Sequence, residues 1–279
     1  MAWTFSEDVE QYQDAAGAFV AGRPVSHTLL LTVADAVLRR GPLAFGDARP
    51  VFGWWRGPDG AVAGALLRTP PYPLVLGVLP EAAVAELAEV FAAEPSLASV
   101  VEVSGRREEV LALAAARGGP SRVVRELRLH RLGELVPPVP FPAGRARPAG
   151  SADLPLVREW FAAFDAETEQ PAPAREAAVR DRLGYGGLVL WEDAGLPVSM
   201  AGFTRPVGGV ARVGPVYTPP ERRGRGFAAA VAASASEAAW SVGAREVVLF
   251  TGPGDPVGGG VYRRIGYEPV EDRVVVAPG

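Results

Sequence analysis

The sequence predicts an α/β fold divided into two domains, with a mixed, mainly antiparallel sheet flanked by helices. Strand and helix patterns alternate along the chain, and three consecutive strand patterns in the second half are separated only by tight turns. The chain has 279 residues, which is more than one ordinary compact core needs. A proline-rich stretch near the middle marks the expected junction between the domains.

The first half shows helix and strand patterns in alternation. Apolar residues from Leu30 to Leu38 recur on one helix face, and Gly41 just beyond them is a typical helix end. Strand patterns at 51–55 and 61–67 flank a Gly-Pro-Asp-Gly turn and predict a hairpin. The remaining elements predicted here are a strand at 74–76, a helix at 81–93, a strand at 99–103, a helix at 108–116 and a strand at 123–132.

The middle of the chain is rich in proline. Residues 135–150 read LVPPVPFPAGRARPAG and contain five prolines without an apolar period. This composition is typical of an extended connector or of the entry to a strand. We therefore predict a first domain at 1–134, a connector at 135–147 and a second domain at 148–279.

The second half begins with a helix that Ser151 could cap. Val157, Trp160, Phe161 and Phe164 lie on one face of this helix, and we expect them to pack in the core rather than to form a binding surface. The elements predicted next are a helix at 175–183, strands at 188–192, 197–205 and 210–218, a helix that passes Trp240 and ends at Gly243, a strand at 246–251, a short helix at 261–265 and a strand at 273–276.

Composition excludes several classes of active site and partner. The chain contains no cysteine, so thiolate nucleophiles and thiolate metal sites are ruled out, and we expect no metal. His27 and His130 are the two histidines, and we expect surface or boundary positions for both, which disfavours a Ser-His-Asp hydrolase. The net charge of -4 argues against nucleic-acid binding by broad phosphate neutralisation.

Hydropathy gives an expected location. No apolar run approaches the roughly 20 residues that span a bilayer. The N-terminus also lacks the basic-then-apolar order of a signal peptide. We therefore expect a cytoplasmic protein with no membrane partner.

A glycine-spaced loop between a strand and a helix carries the most information about function. The strand ends near Thr218, two prolines stop it, and the run RGRGFA leads into the next helix. The first amides of a helix lack carbonyl partners and its dipole favours anions, so a pyrophosphate can bind there. Gly224 and Gly226 would let the backbone approach that phosphate. Taken alone, such a loop is more commonly a solvated basic turn.

The loop and its surroundings resemble a known family. The strand end VYTPPE at 216–221 followed by RGRGFA is similar to the [QR]-x-x-G-x-[GA] signature and preceding strand of GNAT acetyltransferases. Residues 262–267, YRRIGY, resemble the end of the next helix in that family. The resemblance covers the whole second half and implies a GNAT fold there.

This resemblance implies a site for acetyl-CoA as cosubstrate, without a metal. The loop amides would hold the pyrophosphate, and the preceding strand would bind pantetheine through its backbone, with Gly214-Pro215 as a bulge and an amide near Val216 polarising the thioester carbonyl. Tyr262 matches the family tyrosine that protonates the departing thiolate. The cofactor-binding residues implied are Val216, Tyr217, Thr218, Arg223, Gly224, Arg225, Gly226, Phe227 and Ala228.

Two features depart from the family pattern. Members with this strand commonly carry asparagine and serine before the tyrosine helix, whereas this chain has DPVGGG at 255–260. Three helical glycines would destabilise the first turn by roughly 2 to 3 kcal/mol, and an aspartate near pantetheine would weaken CoA binding. No general base is evident. Glu167, Glu169 and Glu192 could reach an acceptor, although solvated surface carboxylates are the more ordinary interpretation.

The first half has the element order of a degenerate GNAT copy. Its strand at 74–76 stands where a cofactor strand would be, but the following Gly77-Val78-Leu79-Pro80 contains neither arginine nor paired glycines. We therefore expect a scaffold or substrate-side domain without a CoA site.

The resemblance implies acetyl transfer from acetyl-CoA to a primary amine of a small molecule or peptide by direct attack. A catalytically impaired acyl-CoA-binding regulatory module is the alternative, and a structural scaffold is a third hypothesis. Asp165, Glu167 and Glu169 would favour a cationic acceptor. A homodimer is one possible assembly.

Overall fold

The computed structural model describes residues 2–168, 175–252 and 258–278. The chain forms two compact units, one of Met1–Arg128 together with Glu271–Gly279 and one of Leu129–Val270. This division differs from the predicted domains at 1–134 and 148–279, because the C-terminal strand completes the sheet of the first unit. No described helix combines the length and the apolar character that crossing a membrane requires.

Helices and strands are numbered in chain order. The elements up to the proline-rich stretch are β1 (Ala2–Ser6), α1 (Val9–Ala21), α2 (Thr28–Arg40), β2 (Val51–Arg56), β3 (Val62–Arg68), β4 (Leu74–Leu76), α3 (Glu81–Val90), β5 (Val103–Arg106), α4 (Arg107–Arg117) and β6 (Ser121–Leu132). The elements after it are β7 (Arg145–Pro148), α5 (Leu154–Thr168), α6 (Arg175–Gly184), β8 (Leu188–Asp193), β9 (Leu196–Phe203), β10 (Val210–Tyr217), α7 (Phe227–Ser241), β11 (Glu246–Thr251), α8 (Gly258–Arg264) and β12 (Tyr267–Pro278).

The first unit is built on a sheet ordered β1-β2-β3-β4-β5, with the end of β12 beside β5. The predicted hairpin is confirmed as β2 and β3, and the predicted helix before it is confirmed as α2. Trp54 packs in a core cluster with α1 and α2, whereas its neighbour Trp55 packs in a second cluster with α3 and α4. Side chains alternate along a strand, so helices cover both faces of this sheet.

The second unit is built on a sheet ordered β6-β11-β10-β9-β8-β7. β8, β9 and β10 are antiparallel neighbours, which confirms the predicted meander, and β10 runs parallel to β11. Phe227 and Val231 of α7 pack in one core cluster, while Trp160 and Phe161 of α5 pack in another. The predicted class, a mixed and mainly antiparallel α/β fold flanked by helices, is confirmed, and so is the core role of the α5 aromatic residues.

Several local predictions differ from the structure. The strand predicted at 99–103 begins only at Val103, because its pairing with β12 fixes its position. The end of the predicted connector is β7, which pairs with β8. Ser151 does not cap a helix but opens a short 3-10 turn, in which the Asp153 carboxylate accepts the Gly150 N–H at 2.7 Å. β1 and α1 were not predicted.

Both histidines are buried, so neither has the surface position expected, although His27 does lie at a helix boundary. His27 directly precedes α2, yet its Nδ1 lies 3.0 Å from the Val20 carbonyl and its Nε2 accepts the Val78 N–H at 3.0 Å. The Nδ1 atom therefore carries the proton and donates a hydrogen bond to the Val20 carbonyl. The Nε2 of His130 lies 2.9 Å from Thr251 Oγ1. The partners of both rings are distant or backbone groups, which a local sequence pattern does not reveal.

Candidate functional site

A β-bulge interrupts β10 in the second unit. Val213 pairs with Phe203 and Val216 with Ala201, so β10 contains one more residue than β9 between these two pairs. Gly214 and Pro215 lie at this point, as the sequence predicted. Gly214 has a φ of 147°, a conformation that L side chains rarely adopt, and Pro215 has no N–H to give to a ladder.

β10 separates from β11 at the same level. Among the described residues, these parallel strands pair from Val210↔Glu246 to Arg212↔Val248, while β10 continues to Tyr217 and β11 to Thr251. The backbone of β10 beyond the bulge is therefore outside this ladder on the β11 side. Backbone N–H and C=O groups that are left without a ladder partner can bind an extended ligand.

The end of β10 leads directly to the N-terminus of α7. A 3-10 turn, Pro220–Arg222, follows the strand, and Gly224 and Gly226 then have φ values of 75° and 82°. Gly226 is the N-cap of α7, and no side chain caps the helix. The first N–H that bonds to a carbonyl of this turn is that of Ala230, which donates to Gly226 at 3.2 Å.

The preceding amides, those of Phe227, Ala228 and Ala229, thus have no carbonyl acceptor within the helix. Residues 223–226 are exposed. An exposed, uncapped helix N-terminus preceded by glycines in the left-handed region can receive a phosphate group.

Both arginines of this loop are paired with carboxylates of the same unit. Arg223 Nη2 lies 2.7 Å from both carboxylate oxygens of Glu167, and its Nε donates to the Thr218 carbonyl at 2.9 Å. Arg225 Nη2 lies 3.2 Å from Asp193 Oδ2. These pairs are partly exposed, and exposed ion pairs contribute only about 0 to 1 kcal/mol, so an incoming phosphate could replace the carboxylates at little cost.

Ser199 fixes the end of β10, a role that sequence reasoning missed. Its hydroxyl is fully buried, donates to the Tyr217 carbonyl at 3.0 Å and lies 2.8 Å from Thr218 Oγ1. Because the single Ser199 proton is used on Tyr217, the Thr218 hydroxyl donates to Ser199. The only sequence signal was a serine within an otherwise apolar strand.

Tyr262 lies on α8 and is partly buried against the core cluster of α7. Its ring meets the ring of Tyr267 edge-on, with centroids 6.1 Å apart. The Tyr267 hydroxyl lies 2.7 Å from Ser236 Oγ on α7, and burial raises the pKa of Tyr267. Val216 packs against the same cluster as Tyr262. The structure thus brings the predicted acid and the predicted thioester strand to the border of one core.

The candidate bases are held in different ways. Glu192 is largely buried and accepts Arg147 Nε at 2.6 Å, and Arg147 also donates to Asp153 at 2.7 Å. Arg147 holds the pKa of Asp153 below its usual value. Glu192 is therefore a member of a structural ion-pair cluster and not the solvated carboxylate expected. Glu167 pairs with Arg223, and Glu169 lies outside the described residues.

Two further predictions can be placed. Asp165, expected to attract a cationic acceptor, is buried on α5. Residues 253–257, which hold part of the departure from the family pattern, lie outside the described residues, and α8 begins at Gly258. Within the parts of the chain that the structure describes, no group of three metal-ligating side chains could hold an ion.

Comparison with known proteins covers the same strand, loop and helix. Residues 154–267 match the model of the acetyltransferase (GNAT) family. No curated protein matches the chain.

Solved structures share the fold of nearly the whole chain. A GNAT-family acetyltransferase from Colwellia psychrerythraea is 13% identical, with a TM-score of 0.62 and 99% of each chain covered. A GCN5-related N-acetyltransferase from Kribbella flavida is 23% identical, with a TM-score of 0.57 and coverage of 91% of this chain and 96% of that one. A tandem GNAT protein from the clavulanic acid biosynthesis pathway is 16% identical, with a TM-score of 0.54 and coverage of 99% and 97%.

At these identities the solved structures establish similarity of fold alone, whereas the family model includes the bulged strand, the glycine loop and Tyr262. Residues 154–267 are therefore a GNAT acetyltransferase domain, and the chain shares its fold with a tandem GNAT protein along nearly its whole length.

Proposed function

We propose that this protein transfers an acetyl group from acetyl-CoA to a primary amine of a small molecule or peptide. One observation carries the proposal: a bulged strand with a free backbone edge runs through an exposed glycine loop into an uncapped helix N-terminus. This arrangement offers hydrogen bonds to an extended chain at one end and to a pyrophosphate at the other, which are two of the polar parts of CoA.

Each part of the site has one task in this proposal. Bound acetyl-CoA supplies the acetyl group as a thioester. The backbone of 216–218 orients its pantetheine arm, the amides of residues 223–228 hold its pyrophosphate, and an amide near Val216 polarises the thioester carbonyl. The acceptor amine attacks that carbonyl directly.

Tyr262 then donates its phenolic proton to the sulfur as the carbon–sulfur bond breaks. Tyr262 regains a proton from solvent, and the proton lost by the amine leaves through water, because Glu192 is engaged by Arg147.

We also propose that the first unit is a scaffold or substrate-side domain without a CoA site. The Val78 amide, in the loop that follows β4, donates to His27 Nε2 at 3.0 Å. Arg273 Nη2 donates to the Leu76 carbonyl at 3.3 Å, and both side chains are buried. The polar groups that a cofactor would need at this position are thus satisfied by the unit itself.

A catalytically impaired acyl-CoA-binding regulatory module is the second candidate. It is favoured by the glycines that open α8 and by the engagement of Glu192. We retain the expectation of a cytoplasmic location, the absence of a nucleic-acid partner and a possible homodimer as parts of either proposal.

Two assays separate the candidates. Acetyl-CoA at about 100 times its Kd should stabilise the protein by about 2.7 kcal/mol, which a thermal shift detects, and a scaffold would show no shift. Thiol release should then be measured across aminoglycosides, polyamines, amino acids and N-terminal peptides. A thermal shift with no thiol release for any amine would favour the regulatory module over the transferase.

A further inference from the structure

The proline-rich segment 133–144 is fixed to the second unit at both ends. The Gly133 N–H donates to the Gly266 carbonyl at 3.0 Å, and the Val136 N–H donates to Ile265 at 3.1 Å. At the other end, Trp191 Nε1 donates to the Ala143 carbonyl at 2.9 Å. Segment 133–144 therefore has a defined path from the end of α8 to the end of β8.

This path runs beside the glycine loop. A Cβ built on Gly226 would lie 3.7 Å from Pro142 Cβ and 3.8 Å from its Cγ. Gly226 is the N-cap of α7, so the ring of Pro142 borders the position proposed for the pyrophosphate. The residue before Pro142 is therefore one position along the chain from this border.

The residue in that position is an exposed aromatic. Phe141 is 62% exposed, although phenylalanine is normally buried. The Phe141 side chain is held in place, because the residue lies between Pro140 and Pro142 and its ring meets the ring of Trp191 edge-on with centroids 5.6 Å apart. Val139, 88% exposed, extends the same apolar surface. Prolines restrict the backbone, so a ring held in this way binds a flat partner with little further loss of entropy.

We propose that Phe141, supported by Pro140 and Pro142, is the stacking platform for the adenine ring of CoA. This inference rests on the proposed function, because it assumes that the pyrophosphate binds at Gly226. The adenine is joined to that pyrophosphate through a ribose, and it is the flat, apolar-faced part of CoA for which an exposed phenylalanine is suited. Arg225, on the adjacent loop and partly exposed, adds positive charge near the ribose phosphate.

Two ligands separate this inference from the proposed function. CoA carries the adenosine and 4′-phosphopantetheine lacks it, while both retain the pantetheine arm. Calorimetry with the full-length protein should show that Phe141→Ala weakens CoA binding by roughly tenfold or more, the change expected when one base–aromatic stack is lost. Binding of 4′-phosphopantetheine should be unchanged, and Phe141→Trp should restore CoA binding.

Val242→Ala serves as the matched control. Val242 is 49% exposed and lies at the opposite end of α7, so this variant should bind CoA like the wild type. An unchanged CoA affinity in Phe141→Ala, or an equal loss for both ligands, would overturn the adenine platform. If Phe141 and Val139 instead bind a protein partner, Phe141→Ala would leave the CoA affinity unchanged. A wild-type protein that binds neither ligand would instead refute the proposed function.

Discussion

Gly226 combines two demands that only glycine meets at low cost. Its φ of 82° lies in the left-handed region, and it is the N-cap of the helix whose first amides are proposed to hold the pyrophosphate. Gly243, after the other end of α7, shares the first demand with a φ of 98° and has no atom within 4 Å of its Cβ position. Comparison of the two separates backbone strain from ligand contact.

We expect Gly226→Val and Gly243→Val each to lower the free energy of unfolding by roughly 1 to 3 kcal/mol, because both force a branched residue into a left-handed conformation. Only Gly226→Val should also abolish acetyl-CoA binding, because it adds a branched side chain at the N-cap, directly before the amides proposed to hold the pyrophosphate. Urea unfolding and calorimetry check the two effects. Normal acetyl-CoA affinity in Gly226→Val would refute the assignment of this loop.

Tyr262 is assigned a proton-transfer role, and removal of its hydroxyl group tests that role. Tyr262→Phe keeps the edge-on contact with Tyr267 and removes only the hydroxyl, so acetyl-CoA should bind normally while kcat falls by on the order of 10² to 10⁴. Steady-state rates of thiol release give kcat, and calorimetry gives affinity.

Tyr185→Phe is the control for this change. The Tyr185 hydroxyl donates to the Phe203 carbonyl, so its removal should cost about 1 kcal/mol of stability and leave kcat unchanged. Full activity of Tyr262→Phe at every accessible pH would rule out the general-acid role.

At the scale of elements, the ion-pair cluster of β7, β8 and the turn before α5 determines what Glu192 can do. Arg147 joins Glu192 and Asp153, and it thereby ties the edge strand to the start of the α5 segment. The Glu192 carboxylate accepts the Arg147 Nε–H at 2.6 Å, so it is already engaged within the unit. We therefore assign Glu192 a structural task.

Glu192→Gln should lower the free energy of unfolding by about 1 to 2 kcal/mol, since a largely buried charged hydrogen bond is weakened. The pH dependence of kcat should stay the same. Glu176→Gln, which changes an exposed carboxylate on α6 paired with Arg180, should alter neither property appreciably. Loss of the acidic-limb dependence on pH in Glu192→Gln would identify this residue as the base after all.

At the scale of the whole molecule, His27 makes the first unit sensitive to acid. Burial lowers the pKa of His27 from 6.5 to about 4, and its ring is neutral with Nδ1 donating and Nε2 accepting. Because the folded-state pKa is below the unfolded one, the unfolded chain binds more protons between these values. The contribution to stability is complete above pH 6.5 and is lost as pH falls toward 4.

The total loss is about 3 kcal/mol, and most of it should appear as a fall in the urea midpoint between pH 7 and pH 4.5. His27→Gln will lower stability at every pH, so the informative quantity is the change of stability with pH. The variant should lose less stability than the wild type across this interval, since its side chain does not titrate. Equal slopes for the two proteins would show that His27 is not the acid-sensitive group.

The sequence by itself determined the α/β class, the β2–β3 hairpin, the β8–β10 meander, the bulge at Gly214-Pro215 and the glycine loop before α7. Each of these depends on residues close together in the chain: turn glycines, prolines that lack an N–H, and apolar residues at helix or strand spacing. The GNAT resemblance followed from the glycine loop with the strand before it and from residues 262–267.

Only the tertiary structure decided which distant residues meet. The end of β12, from Glu271 onward, belongs to the first unit and pairs with β5, and this pairing sets where β5 begins. His27 is buried because Val20 and Val78 surround its ring, and Arg223 is paired with Glu167 from another helix. These contacts join residues that are far apart in sequence, so their free energy depends on the folded arrangement and leaves no periodic or turn signal in the chain.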